Sequence, residues 1–309
     1  MTRMRSVRSA ALPATVSAIC SAIGSGFLAA TLFTLGADAA AAEVHLDRWP
    51  SERANDPAAL QHGARLFVTN CLNCHSARLM RWNKLEEIGL DATQIKSQLI
   101  YGNQRIGDMM TIAMVPRDAT KWFGKAPPDL STIIRANSTV EHNGADYVYT
   151  LLRSFYRDRS TSTGWNNAVF HNIAMPNVFW QMQGPRIATI VRVERNEHAG
   201  ESPAKLKPGQ TAMPWVRVRS VYDAQGDVQS TEAGLSTGSE TKSARFQPLE
   251  PARAEATDNN IADIVAFLNW MSEPKKTERI HVGFWAMGYL VVFFLIARWL
   301  NNVFWRDVK

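Results

Sequence analysis

Cys71-Leu72-Asn73-Cys74-His75 places two thiols and an imidazole at the spacing that covalent attachment of haem requires. The cysteines can add across the vinyl groups of the ring, and the histidine that follows can ligate iron through a neutral imidazole nitrogen. A bare Cys-X-X-Cys also fits a redox-active thiol pair or half a zinc site; the trailing His75 narrows the choice. Zinc needs further ligands at similar spacing, and there is no second cysteine pair in the chain. A thioredoxin-like motif sits between a strand and a helix in an alternating α/β pattern, which the residues around Cys71 do not follow.

The third cysteine, Cys20, falls in a stretch that reads as an export leader. Arg3, Arg5 and Arg8 precede an apolar run to Leu35, and small residues from Ala37 to Ala42 end it. Residues 1–42 are expected to be removed as a signal peptide, leaving Cys71 and Cys74 as the only thiols. Export fits haem attachment, which takes place on the outer side of the bacterial inner membrane. At the other end, Val282 to Ala297 carries no charge and includes Phe284, Leu290, Val291, Val292, Phe293, Phe294, Leu295 and Ile296. A span of about 20 residues crosses the hydrocarbon core, so a membrane helix is expected over 281–302. Trp285 at one end and Trp299 and Trp305 at the other suit the two interfaces. The chain then divides into the leader, an exported periplasmic domain over 43–280, the span, and a cytoplasmic tail over 303–309.

The formal net charge of +6 is spread widely, with no run of Lys and Arg interleaved with aromatics, which argues against a nucleic-acid partner. Within the exported part, Asn55-Asp56-Pro57 reads as a helix start, and Leu60, Ala64 and Phe67 follow at helical spacing. A second helix is expected from a Thr257-Asp258 cap to Pro274, with Ile261, Ile264, Val265 and Leu268 on one face. Gly63 is the natural point of close approach between the two, with Phe67 against Phe267 or Trp270. A third helix is expected from Gly144 to Tyr156. From Arg186 to Arg253 the pattern turns to alternation at Ile187 to Val193 and Val216 to Arg219, which predicts short strands. Ser230 to Ser243, rich in Ser, Thr, Gly and Glu, reads as a mobile loop.

A haem that carries electrons needs a second axial ligand, and a thioether opposite the histidine raises its potential. Ala174-Met175-Pro176 sets Met175 in an extended, proline-stiffened loop. Met109, Met110 and Met114 cluster in a stretch that reads as helical and suits core packing. Met182, Met213 and His171 are the remaining alternatives.

Three blocks together resemble the cytochrome c1 family, the haem subunit of ubiquinol-cytochrome c oxidoreductase (the bc1 complex). They are Cys71 to Ser76 with Arg81 and Leu85; Pro127-Pro128-Asp129-Leu130-Ser131 with Arg135, Asp146-Tyr147-Val148 and Leu151-Leu152; and Ala174-Met175-Pro176 with Asp263 to Pro274 leading into the anchor. The resemblance implies a mainly α, class I cytochrome c-like haem domain with a short β excursion and one C-terminal transmembrane helix. It implies one covalent haem c, with His75 and Met175 as axial ligands. The residues matching Arg135 and Tyr147 lie by the haem, the arginine pairing with a propionate, and Pro127 and Pro128 wall the ring. A two-pronged guanidinium suits a buried propionate on physical grounds as well. The implied partners are cytochrome b, a Rieske iron-sulfur protein as electron donor, a soluble or membrane-bound cytochrome c as acceptor, and the lipid bilayer, within a dimeric complex. No bond-making chemistry is expected in this chain. A membrane-tethered cytochrome c serving a terminal oxidase or another dehydrogenase is the alternative that shares most of the pattern. The segment from about Glu194 to Arg253 has no counterpart in the resemblance, and no dense acidic run for docking cytochrome c is visible.

Overall fold

The computed structural model describes residues 44–202 and 205–306; the expected leader and Cys20 lie outside them. Helix α1 (Pro57–Asn70) starts where the sequence signals it, with Pro57 as its first residue and the Asp56 carboxylate accepting from the Ala58 N–H. Its buried face carries Leu60, Gly63, Ala64, Phe67 and Val68. The chain then forms β1 (Ala77–Arg81), α2 (Ala92–Gln98) and β2 (Met109–Met110), with β1 and β2 paired antiparallel. Met109 and Met110 are therefore strand, not helix. Met110 is fully buried, so its packing role stands. Helices α3 (Pro116–Phe123), α4 (Ile133–Ala136) and α5 (Gly144–Arg153) follow.

Helix α5 stops three residues before the expected Tyr156. Ser154 leaves the helix to hydrogen-bond Asn167 through its hydroxyl at 3.0 Å, and β3 (Phe155–Arg157) pairs with β4 (Trp165–Asn167). A single turn, α6 (Trp180–Gln183), leads into a four-stranded antiparallel sheet of β5 (Arg186–Arg195), β6 (Trp215–Tyr222), β7 (Val228–Leu235) and β8 (Thr241–Pro248), in the order β7-β6-β5-β8. The stretch expected as a mobile loop is thus mostly two edge strands. Their polar side chains hide the pattern, and the ladder itself fixes them: β7 pairs with β6 over its whole length, with Ser220 and Ser230 hydroxyls 2.9 Å apart, and β8 pairs with β5.

Helix α7 (Pro251–Ser272) begins six residues before the expected cap. Pro251 opens it, and the Thr257 hydroxyl bonds back to the Arg253 carbonyl at 2.9 Å inside the helix. Buried Ile261, Ile264, Val265, Phe267 and Leu268 pack on α1. The Phe67 and Phe267 rings lie 5.4 Å apart, with Phe267 stacked on Trp270 at 5.8 Å. Burying each such ring contributes about 1.5–3 kcal/mol, so this crossing anchors the main core. A smaller cluster of Val44, Tyr156, Ala168, Ala188 and Ile190 seats the sheet. Finally, α8 (Lys276–Arg306) is 31 residues long, with a mean hydropathy of 2.0 in its apolar stretch and none of that stretch buried. At about 1.5 Å per residue it exceeds the thickness of a bilayer core.

Candidate haem site

The end of α1 presents the Cys-X-X-Cys-His residues on a tight turn. The Cys71 N–H still bonds the Phe67 carbonyl at 2.8 Å, and the Cys74 and His75 N–H groups both turn back to the Cys71 carbonyl, at 3.1 and 2.9 Å. Both thiols are free; Cys71 is buried and Cys74 exposed. Burial pushes the Cys71 thiol up to about 12, with the neighbouring Cys74 adding to it.

His75 is oriented by a residue far along the chain. Its Nδ1 lies 2.7 Å from the Pro128 carbonyl oxygen. A carbonyl only accepts, so Nδ1 carries the proton and the Nε2 lone pair is left for a metal. Burial lowers the imidazole pKa, outweighing the Pro128 bond and the Asp129 charge that raise it, which favours the neutral, ligating form.

The Pro127 to Ser131 block is the strap that supplies this carbonyl. Asp129 accepts the Arg78 N–H at 2.8 Å through one oxygen and the Ser131 N–H at 2.9 Å through the other. The Ser131 hydroxyl accepts the Leu79 N–H at 3.0 Å, and the Leu130 N–H donates to the Ser76 carbonyl at 2.9 Å. Each residue type in the motif serves a local purpose. Asp and Ser accept strand N–H groups, Leu130 enters the core, and proline stiffens the approach. Asp129, Ser131 and Ser76 therefore support the site, although in sequence they stand out only as parts of a pattern. The Asp-X-Ser spacing is the signal that marks the first two.

Met175 is half-buried and packs on the same core cluster as Cys71, Leu72, Leu130 and Tyr147. Met182 packs there too, whereas Met213 is exposed. His171 stands with Lys242 and Arg192 at the sheet, and burial and these two cations lower its pKa. Tyr147 is half-buried and stacks on His142 at 5.7 Å. Pro127 is half-buried and Pro128 exposed. Arg135 is exposed on the one-turn α4, while its neighbour Ile134 fills the core. Its charge reaches Glu273, whose pKa is held down mainly by the hydrogen bond from Arg279.

Two free thiols one turn apart, beside a neutral imidazole with Nε2 available, fit a covalently held haem. Among the described residues no group of three or more His, Cys, Asp or Glu is gathered as a zinc site would need.

Comparison with known proteins agrees. The model of the Cytochrome C1 family matches residues 51–199 and 250–308, leaving out the stretch that carries β6, β7 and β8. The chain is 33% identical over 281 residues to the ammonia monooxygenase gamma subunit of Nitrosomonas europaea, covering 91% of this chain and 96% of that one. It is 32% identical to cytochrome c1 of Allochromatium vinosum over 82% of this chain and 86% of the relative. A cytochrome c1 of Rhodospirillum rubrum is 24% identical over 82% and 83%. With the haem-attachment turn, its strap and the apolar C-terminal helix in one polypeptide, the chain belongs to the cytochrome c1 family.

Proposed function

We propose that this chain is the membrane-anchored haem c subunit of a quinol-oxidising bc1 complex, accepting an electron from a Rieske iron-sulfur protein and passing it to a cytochrome c. The observation that carries the reading is the 2.7 Å bond from His75 Nδ1 to the Pro128 carbonyl, because it prepares an imidazole to ligate iron. In this reading Cys71 and Cys74 hold one haem by thioether bonds, and His75 and Met175 are the axial ligands. The haem supplies a one-electron iron couple. The chain's residues tune and position it. The strap fixes the His75 ring, so that no ligand has to reorient when charge changes. Met175 offers a soft thioether that favours the reduced metal. Arg135, at the surface, pairs with a propionate, and Pro127, Pro128 and Tyr147 bound the ring and keep water away. Were His75 and Met175 both to hold the iron, no position would be left for oxygen, and the subunit would relay electrons without making bonds.

Residues 1–42 would serve as the export leader, 43–280 as the periplasmic haem domain, 281–302 as the span and 303–309 as the cytoplasmic tail. Cytochrome b and a dimeric complex complete the assembly. The Nitrosomonas europaea relative, covered over 96% of its length and named as an ammonia monooxygenase subunit, favours a second reading in which the chain serves a monooxygenase assembly. Gentle detergent purification of the tagged chain from its native membrane separates the two. A b-type cytochrome, an iron-sulfur subunit and quinol-dependent reduction of cytochrome c are expected to co-purify. Recovery alone, with an oxidase or with monooxygenase subunits overturns the bc1 reading.

A further inference from the structure

A cavity of about 350 Å³ lies between α5, the start of α7 and β8. None of the residues assigned to haem lines it. Its volume is in the range of small-molecule sites, about 300–1,000 Å³. Two guanidinium groups dominate the wall. Arg153 is satisfied on both terminal nitrogens, donating to Asp47 at 2.7 Å and to Asp258 at 2.6 Å. Arg186 is not. Its Nη1 donates to the Arg153 carbonyl at 2.8 Å and its guanidinium carbon lies 4.3 Å from the Phe246 ring centroid. Its Nε and Nη2 are buried with no hydrogen-bond partner, as is the Nε of Arg153.

The pattern of what is bonded matters more than the count. Nε and Nη2 form one edge of the planar guanidinium, and that edge is the two-pronged donor that receives a carboxylate or phosphate through parallel hydrogen bonds. Nη1, the nitrogen off that edge, is the one already occupied. Burial pulls the Arg186 pKa down to about 9, with Asp258 opposing and Arg153 adding to the fall. A guanidinium stays protonated near neutrality all the same, so the group remains a buried cation short of acceptors. The two carboxylates on the wall, Asp47 and Asp258, are both engaged by Arg153, so the open edge of Arg186 is left as the donor for one further anionic group. Ala168, Ala244 and Pro248 add apolar wall. Ala244 to Pro248 lie in the stretch that the family model does not match, so part of this site belongs to the added sheet.

We propose that this cavity is a binding site for a small organic monocarboxylate, its carboxylate on the Nε and Nη2 edge of Arg186 and its apolar body against the alanine and proline wall. The test is calorimetric titration of the full-length, detergent-purified protein with sodium benzoate, against sodium phosphate and sodium chloride at equal ionic strength. Saturable benzoate binding is expected, weakened about tenfold or more by Arg186→Lys, which keeps the charge and loses the two-pronged edge. Ala254→Leu, on the cavity wall, fills the space with Arg186 intact and is expected to abolish binding while the haem spectrum and circular dichroism stay unchanged. This second variant decides the matter should Arg186→Lys fail to fold. Absence of saturable benzoate binding, equal binding by the Ala254→Leu protein, or a preference for phosphate overturns the proposal. So does an experimental density map with benzoate present that shows only ordered water on Arg186.

Discussion

A Cβ atom on Gly63 would lie 2.0 Å from the carbonyl oxygen of Asp263, so α1 and α7 meet backbone to backbone at this crossing. The Asp263 carboxylate is engaged from the same side, by His62 Nδ1 at 2.8 Å and by Arg53.

Gly63→Ala therefore sets two effects against each other. Alanine favours the helix by about 0.5–1 kcal/mol, but the clash is with backbone, which cannot turn aside, and overpacking of this kind costs about 1–3 kcal/mol. A net loss of stability is expected, seen as a lower denaturant midpoint. A midpoint equal to or above that of the parent protein would mean the helices separate freely.

Asp129 acts through the strap. Asp129→Ala removes the acceptor for the Arg78 and Ser131 N–H groups, a loss of about 1–3 kcal/mol in all, and frees the Pro128 carbonyl from its place over His75. Haem content per polypeptide, read from the reduced α-band against protein concentration, is expected to fall, and Asp129→Asn to lie between the two. Full haem content in Asp129→Ala would detach the strap from ligand positioning.

Met175→Leu keeps the volume and removes the sulfur. The reduction potential is expected to drop, and the ferrous variant to bind carbon monoxide while the parent is expected not to. An unchanged redox spectrum with no carbon monoxide adduct would assign the sixth position elsewhere, with Met182 next to be tested.

Asp158 gives the acid limb of the stability curve a specific contributor. Burial alone would raise its pKa, but hydrogen bonds from the Asn166 amide and from the Ser160 N–H and hydroxyl outweigh that and hold it below the usual 3.8. A carboxylate whose folded pKa is depressed stabilises the fold above its unfolded value and loses that contribution as pH falls through the folded one. Asp158→Asn is thus expected to be less stable than the parent at neutral pH, the gap closing below 3.8. A gap that persists unchanged in acid would trace the effect to packing.

What the sequence makes legible is what acts locally. The haem turn, the Asp56-Pro57 helix start and the apolar run of α8 carry their chemistry within a few residues. Gly63 is legible because a lone glycine on an apolar helix face has few other uses. The start of α7 misleads because Thr257-Asp258 has the composition of a cap, yet Thr257 spends its hydroxyl on Arg253 and Asp258 binds Arg153. Strands β7 and β8 pass for a loop because an edge strand so widely exposed has little hydrophobic alternation, and its stability lies in ladder bonds to a neighbour. The site's other half, the strap, depends on contacts such as the one from Arg78 to Asp129, which no local pattern displays. The cavity draws its charges from Asp47 to Asp258, almost the whole length of the domain.

The burial of Cys71 bears on when a bond can be made to it. In the folded molecule that sulfur is buried and its pKa is pushed up to about 12, so the nucleophilic thiolate is scarce there. A bond to it is therefore expected to form more readily while the end of α1 is still loose than after the core around it has packed. Cys74, exposed on the same turn, faces no such restriction, so the two thiols differ in how far folding shields them.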